Sequence, residues 1–142
     1  MKRLQLVVVA VAAASIGPAY AANEGLMVLQ EFGTKWQTSY NSGDAANIAD
    51  LYVPDAVFSS GVLGTLHGKA EIEKAVANQM KATPKITITP LEAHQQGTVV
   101  WGNGDFTFES GPSGHYGLTI VSEHGASHIA MHFSNVTPSK KP

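Results

Sequence analysis

The sequence predicts an α+β domain in which helices come first and an antiparallel sheet follows. Three observations carry that reading. In three separate stretches between Leu26 and Met80, apolar residues recur three or four apart, the period of a helix with one buried face. From Lys85 onward they alternate in twos between turn residues, the period of a half-buried strand. Helical segments followed by consecutive strands fit an α+β layout and not alternating βαβ units.

Residues 1–21 stand apart from the fold. Lys2-Arg3 is a charged start, Leu4 to Ile16 is mostly apolar, and Ala19-Tyr20-Ala21 is a small-x-small cleavage site. This pattern predicts a signal peptide over 1–21, cleavage after Ala21, and a periplasmic or secreted product with no membrane attachment after cleavage. The apolar run is short for a bilayer-spanning anchor. The domain is expected over 22–136, with 137–142 a polar tail. A chain of 142 residues, 44% hydrophobic and 14% charged, supports one globular domain with its own core. It has no Cys, so no disulfide can brace that core. A formal charge of -2 without any basic run argues against a nucleic-acid partner.

The first helix is expected from about 23 to 40, with Leu26, Leu29, Gly33, Trp36 and Tyr40 on one stripe. Asn41-Ser42-Gly43 ends it, Gly43 being free to turn left-handed. Asp44 then caps a short helix over about 44–52, whose apolar face is Ile48, Leu51 and Tyr52. Pro54 pushes Val53 out of helical geometry, and Asp55-Ala56-Val57-Phe58 leads into a strand. The segment 61–68 is a loop or short second strand. A third helix, about 69–81, buries Ile72, Ala75, Val76 and Met80. The strand from Lys85 changes phase at Pro90, where a bulge explains both the phase and the tolerated proline. Asn103-Gly104 can signal a hairpin. Strands over 115–122 and 127–136 complete the meander.

Several of these residues carry a family resemblance. Trp36-x3-Tyr40-Asn41-x-Gly43-Asp44, then Ile48-x2-Leu51-Tyr52, then Pro54-Asp55-Ala56-Val57-Phe58, then His67-Gly68-Lys69 opening the third helix, resemble the nuclear transport factor 2-like superfamily in its SnoaL-like and ketosteroid-isomerase-like branch. The resemblance covers most of the chain after residue 22. It implies a cone: three N-terminal helices packed on a strongly bent antiparallel sheet, with Gly102-Asn103-Gly104 a kink inside one strand. The superfold hosts enzymes, binding modules and assembly domains, so the function must come from the site. Pairing as a homodimer through the outer sheet face is also implied, with His115, Thr119, Val121, His128 and His132 as members of that face.

The aromatic residues Trp36, Tyr40, Tyr52, Phe58, Trp101 and Phe106 are the expected ligand-binding set. Such residues are ordinarily core, but in this superfamily the core of the cone is also the pocket, and concave apolar sites are the usual form of small-molecule sites. Among the six histidines, His128 and His132 have a spacing that suits zinc on a helix. On a strand they stand roughly 13 Å apart, beyond the reach of one ion, so no metal is expected. Alternation puts Ile129, Met131 and Phe133 on the core face and both histidines outside. His132, as a general base, and Asp105, beside the glycine kink, remain the two catalytic candidates. In ketosteroid isomerases a tyrosine, a carboxylate base and a protonated acid do the work. The resemblance places those positions on Trp36, Ser60 and about Leu118, none of which can do that chemistry. Nucleotide-binding glycine motifs are absent and no cofactor is expected. The leading expectation is a domain that binds a small apolar molecule. An isomerase, dehydratase or hydrolase and a dimerising assembly module are the alternatives.

Overall fold

The computed structural model of the protein describes residues 18–138; the segments 1–17 and 139–142, which hold most of the expected signal peptide and polar tail, lie outside the described residues. The elements are α1 (Pro18–Asn41), α2 (Ala45–Ala49), β1 (Tyr52–Ser60), β2 (Gly64–His67), α3 (Gly68–Ala82), β3 (Ile86–Gln96), β4 (Val99–Phe108), β5 (Ser113–Glu123) and β6 (Ala126–Val136). The break between α1 and α2 follows the sequence closely. Gly43 takes a φ of 78°, and the Asp44 carboxylate accepts the Asn47 N–H at 2.9 Å. The second helix is shorter than expected, and Tyr52 already belongs to β1.

The six strands form one sheet in the order β2-β1-β6-β5-β4-β3. The expected antiparallel sheet needs one correction. β1 and β6 run parallel, and only the other neighbours are antiparallel. The hairpin β1–β2 is made before α3, and β1 then lies beside the last strand of the meander. No turn joins β1 to β6, so nothing obliges them to run in opposite directions.

Helix α1 lays Leu29, Phe32, Trp36 and Tyr40 on the inner face of the sheet, against Ala93, Val100, Phe106, Phe108, Leu118 and Ile120, all buried. Helix α3 adds Ile72, Val76 and Met80, and α2 adds Ile48. Strand β3 is an edge, and polar residues of α1 occupy its open groups. Ile88 N–H donates to Gln37 Oε1 at 2.7 Å, and Asn41 both accepts from Ile86 N–H at 2.8 Å and donates to its carbonyl at 3.0 Å. Satisfied in this way, the start of the edge strand is less open to pairing with another chain.

Two bulges set which side chains face inward. In β3 the partners step from Pro90↔Gly104 to Glu92↔Asn103, leaving Leu91 as the extra residue, 53% exposed. This is the bulge expected at Pro90, and Gly102-Asn103-Gly104 lies within the single strand β4. In β6 the partners step from Ile120↔Ile129 to Thr119↔Met131, so Ala130 is the extra residue. A bulge there reverses the alternation expected for this strand. Ile129 still faces inward, but so does His132, while Met131 and Phe133 face outward at 38% and 54% exposure. His132 is therefore removed from the outer face.

Gly104 shows how closely the inner layer is packed. A Cβ there would meet the Thr89 carbonyl oxygen and the Tyr116 ring and hydroxyl, the last at 2.7 Å. Backbone and a buried ring cannot yield cheaply, so Gly104→Ala is expected to destabilise the fold by about 1–3 kcal/mol. Chemical denaturation of the variant beside the wild-type protein checks this; an unchanged midpoint contradicts the packing described.

Candidate functional site

A cavity of about 600 Å³ opens between α1, α3 and the inner face of the sheet. Phe32 and Trp36 come from α1, Phe58 and Ser60 from β1, Ala75, Asn78 and Gln79 from α3, and Phe106, Phe108, Tyr116, Leu118 and His132 from the sheet. Val62 and Leu63 of the β1–β2 turn, Pro112 of the β4–β5 turn, and Asn135 and Val136 of β6 also line it. No Asp, Glu, Lys or Arg is among the described residues that line it. An ionic ligand would lose its hydration there without a counter-charge, a cost that a neutral apolar molecule avoids.

A histidine stands among the aromatic side chains of this wall. His132 is 6% exposed, with Phe58 opposite it on β1 and Leu118 opposite it on β5. The Phe58 ring stacks on the imidazole with centroids 3.9 Å apart and planes 2° apart. Behind it lies Tyr52, fully buried, whose hydroxyl is 2.7 Å from His132 Nδ1. Trp36 Nε1–H donates to the same hydroxyl oxygen at 3.2 Å. Burial pushes the Tyr52 hydroxyl well above the usual tyrosine range, so it stays protonated; the Trp36 hydrogen bond opposes this only partly. Burial also pulls the His132 pKa down to about 3, so the ring is neutral at physiological pH.

Two further tyrosines pack near this group. The Tyr40 ring stacks on Trp36 at 5.2 Å, and its hydroxyl donates to the Thr83 carbonyl at 2.8 Å. Burial raises its pKa, against the effect of the Thr83 side chain. The Tyr116 hydroxyl is buried without a hydrogen-bond partner among the described residues. Burial first, and then the Asp105 charge, keep it protonated.

The expected site residues divide into three groups. Trp36, Phe58 and Phe106 line the cavity, as does His132. Tyr40 and Tyr52 stand behind Trp36 and His132 as supports and are not part of the lining. Trp101 and Asp105 lie apart from the cavity, on the outer face of β4. Trp101 is 42% exposed and stacks on His94 at 5.7 Å, while Asp105 Oδ1 lies 2.6 Å from His115 Nδ1. They point outward because Val100, Phe106 and Phe108 take the inward positions of the same strand. Ser60 and Leu118 do line the cavity, beside Trp36, where the family resemblance put them. The Ser60 hydroxyl accepts the N–H groups of Val62 and Leu63 at 3.2 and 3.3 Å, which holds the β1–β2 turn. Phe32 and Tyr116 were not singled out in the sequence. Phe32 continues the spacing Leu29–Phe32–Trp36–Tyr40, and Tyr116 alternates with Leu118 and Ile120, so both signals were present.

Comparison with known proteins agrees with this geometry. A model of the SnoaL-like domain matches residues 34–133. Among curated proteins, none matches the sequence. A protein of unknown function from Mycobacterium tuberculosis superposes with a TM-score of 0.71 at 14% identity, over 89% of this chain and 80% of its own. A protein of unknown function with a cystatin-like fold from Nostoc punctiforme gives 0.68 at 12% identity, over 80% and 91%. An NTF-2-like protein of unknown function from Shewanella oneidensis gives 0.61 at 16% identity, over 75% and 95%. At these identities the likeness establishes the fold alone.

The buried histidine makes stability depend on pH. Its pKa is about 3 in the folded protein and near the ordinary 6.5 when unfolded, so between those values only the unfolded chain binds the proton. Stability is full above this window and falls as pH drops through it, by about 1.4 kcal/mol per pH unit from this group. Thermal melts across the window are expected to show this slope in wild-type protein and a shallower one in His132→Phe. The slope is the readout, because removing the Tyr52 acceptor lowers stability at every pH. Equal slopes would show that His132 is not held neutral by burial.

Proposed function

The chain belongs to the SnoaL-like domain family, and on that premise we propose that it binds a small, largely apolar molecule inside the cone. The single observation behind this reading is a cavity of about 600 Å³ whose lining, among the described residues, includes no Asp, Glu, Lys or Arg. Its size is in the ordinary range for small-molecule sites, and its aromatic walls suit a flat or compact apolar body. With a leader of the expected kind over 1–21, binding takes place in the periplasm or outside the cell. The resemblance places the positions that carry the chemistry of ketosteroid isomerases on Trp36, Ser60 and about Leu118 here, and no isomerase activity is expected from them. Native mass spectrometry of protein purified from its own host tests for a retained molecule.

Trp36 separates a binding cavity from a merely packed core. It is 6% exposed and forms one wall. Trp36→Ala is expected to cost roughly 3–5 kcal/mol of stability and to increase binding of a bulky apolar dye. A melting temperature equal to wild type contradicts the placement of Trp36, and robust turnover of a β,γ-unsaturated ketosteroid by wild-type protein contradicts the absence of isomerase chemistry.

A second reading, association as a homodimer, is favoured by the outer sheet face. Trp101, Thr119 and Met131 lie side by side across β4, β5 and β6, and Phe133 extends the same surface. Three large apolar side chains, Trp101, Met131 and Phe133, are thus exposed together at 42%, 38% and 54%, a pattern that marks association surfaces. Light scattering is expected to give a dimer mass for wild-type protein and a monomer mass for Phe133→Glu. A monomer at every concentration of the wild-type protein refutes the association.

A further inference from the structure

The hydrogen bonds behind the cavity run in one direction. Indole nitrogen can only donate, so Trp36 Nε1–H supplies a proton to the Tyr52 oxygen. The Tyr52 hydroxyl hydrogen then needs an acceptor, and His132 Nδ1, at 2.7 Å, is the one within reach among the described residues. If Nδ1 carried the proton instead, the hydroxyl hydrogen of a fully buried tyrosine would have no acceptor, a loss of about 1–3 kcal/mol. The neutral imidazole therefore carries its proton on Nε2. No protein group among the described residues takes that proton, and the ring that bears it lines the cavity.

We propose that His132 Nε2–H is the anchor of the cavity, and that the ligand is a neutral, mainly apolar molecule presenting a carbonyl oxygen to it. This rests on the cavity being a binding site and adds the chemistry of recognition. A carbonyl oxygen accepts the free N–H, whereas a hydroxyl or amine whose only free function is donation finds no partner at Nε2. A carboxylate would face an uncharged ring with no Lys or Arg among the described lining residues. The Phe58 ring, stacked on the imidazole at 3.9 Å, and Leu118 on the neighbouring strand fix the ring plane and so the direction of the bond. Tyr52 is a positioning residue, because it sets the tautomer without lining the cavity, and Trp36, itself one wall of the cavity, acts on the tautomer through the Tyr52 hydroxyl. Sites that hold an unpaired buried donor discriminate by leaving it unpaired when the wrong ligand enters.

A matched pair of probes tests this. 2-Acetylnaphthalene and 2-isopropenylnaphthalene have nearly the same shape and differ in carrying C=O or C=CH2. Calorimetric titration of both into wild-type protein and His132→Phe gives a ketone-to-alkene affinity ratio for each. The wild-type ratio is expected to exceed that of the variant by roughly fivefold, the value of one net hydrogen bond. Equal ratios overturn the anchor while leaving the cavity as a binding site. If neither probe binds wild-type protein, the binding reading itself fails and the anchor falls with it. If His132→Phe does not fold, nitrogen-15 NMR of the wild-type histidine decides. Its proton is expected on Nε2, with that signal moving when the ketone is added and not when the alkene is added. A proton on Nδ1, or equal movement with both probes, overturns the proposal.

Discussion

The Tyr52 hydroxyl joins three parts of the cone that are far apart in sequence. It receives the Trp36 N–H from α1 at 3.2 Å and meets the His132 ring of β6 at 2.7 Å, while its own backbone starts β1. Helix, first strand and last strand thus converge on one oxygen. The joint is fully buried, so each hydrogen bond in it must be kept, since water cannot replace a lost partner. The irregular pairing of β1 and β6 follows from it. Between Tyr52↔Ile129 and Val57↔Met131, β1 advances five residues while β6 advances two. This mismatch places Tyr52 and Phe58 against the same imidazole, one at its edge and one on its face.

How far this was legible in the sequence depended on whether each irregularity carried a marker residue. The bulge in β3 was readable because Pro90 sits at the change of phase and cannot donate in a regular ladder. The Asn41–Asp44 break was readable because Gly43 and Asp44 each have a strong local preference. The bulge in β6 had no such mark. Ala130 fits a regular strand as well as a bulged one, so simple alternation sent His132 to the wrong face. Alternation alone would also bury Met131 and Phe133, two large apolar side chains that the structure leaves exposed. The parallel pairing of β1 with β6 was equally silent, because it depends on where the meander ends and not on any local pattern.

The site was partly legible for a related reason. Residue type picked out Trp36, Phe58 and Phe106 correctly because those aromatics also occupy inward positions. It failed for Trp101, where type and face disagree. Counting back in twos from Phe108 through Phe106 to Val100 assigns Trp101 to the outside, so face could have corrected type. Tyr40 and Tyr52 show a different limit. Both are core aromatics of the expected kind, but only three-dimensional packing tells a wall from the support behind it. The polar side chains Gln37 and Asn41 of α1 carry no local mark of their role, which is to bond backbone groups on the open edge of β3.

The same geometry bears on catalysis. A general base needs a free lone pair facing the substrate and a pKa near the working pH. His132 has neither: Nδ1 is committed to Tyr52, and burial holds the ring pKa near 3. The Asp105 carboxylate lies outside the cavity, paired with His115 on the far face of the sheet. The Ser60 oxygen already accepts two backbone N–H groups and has no histidine bonded to it. Two further groups of the wall, the Tyr116 hydroxyl and the His132 N–H, are neutral and hold their protons at physiological pH. A wall so made can orient a polar atom of a guest or polarise it by hydrogen bonding, and among the described residues no carboxylate lines it. On the proposed reading, the guest is selected by the shape of the cavity and by the hydrogen bonds that this wall can offer.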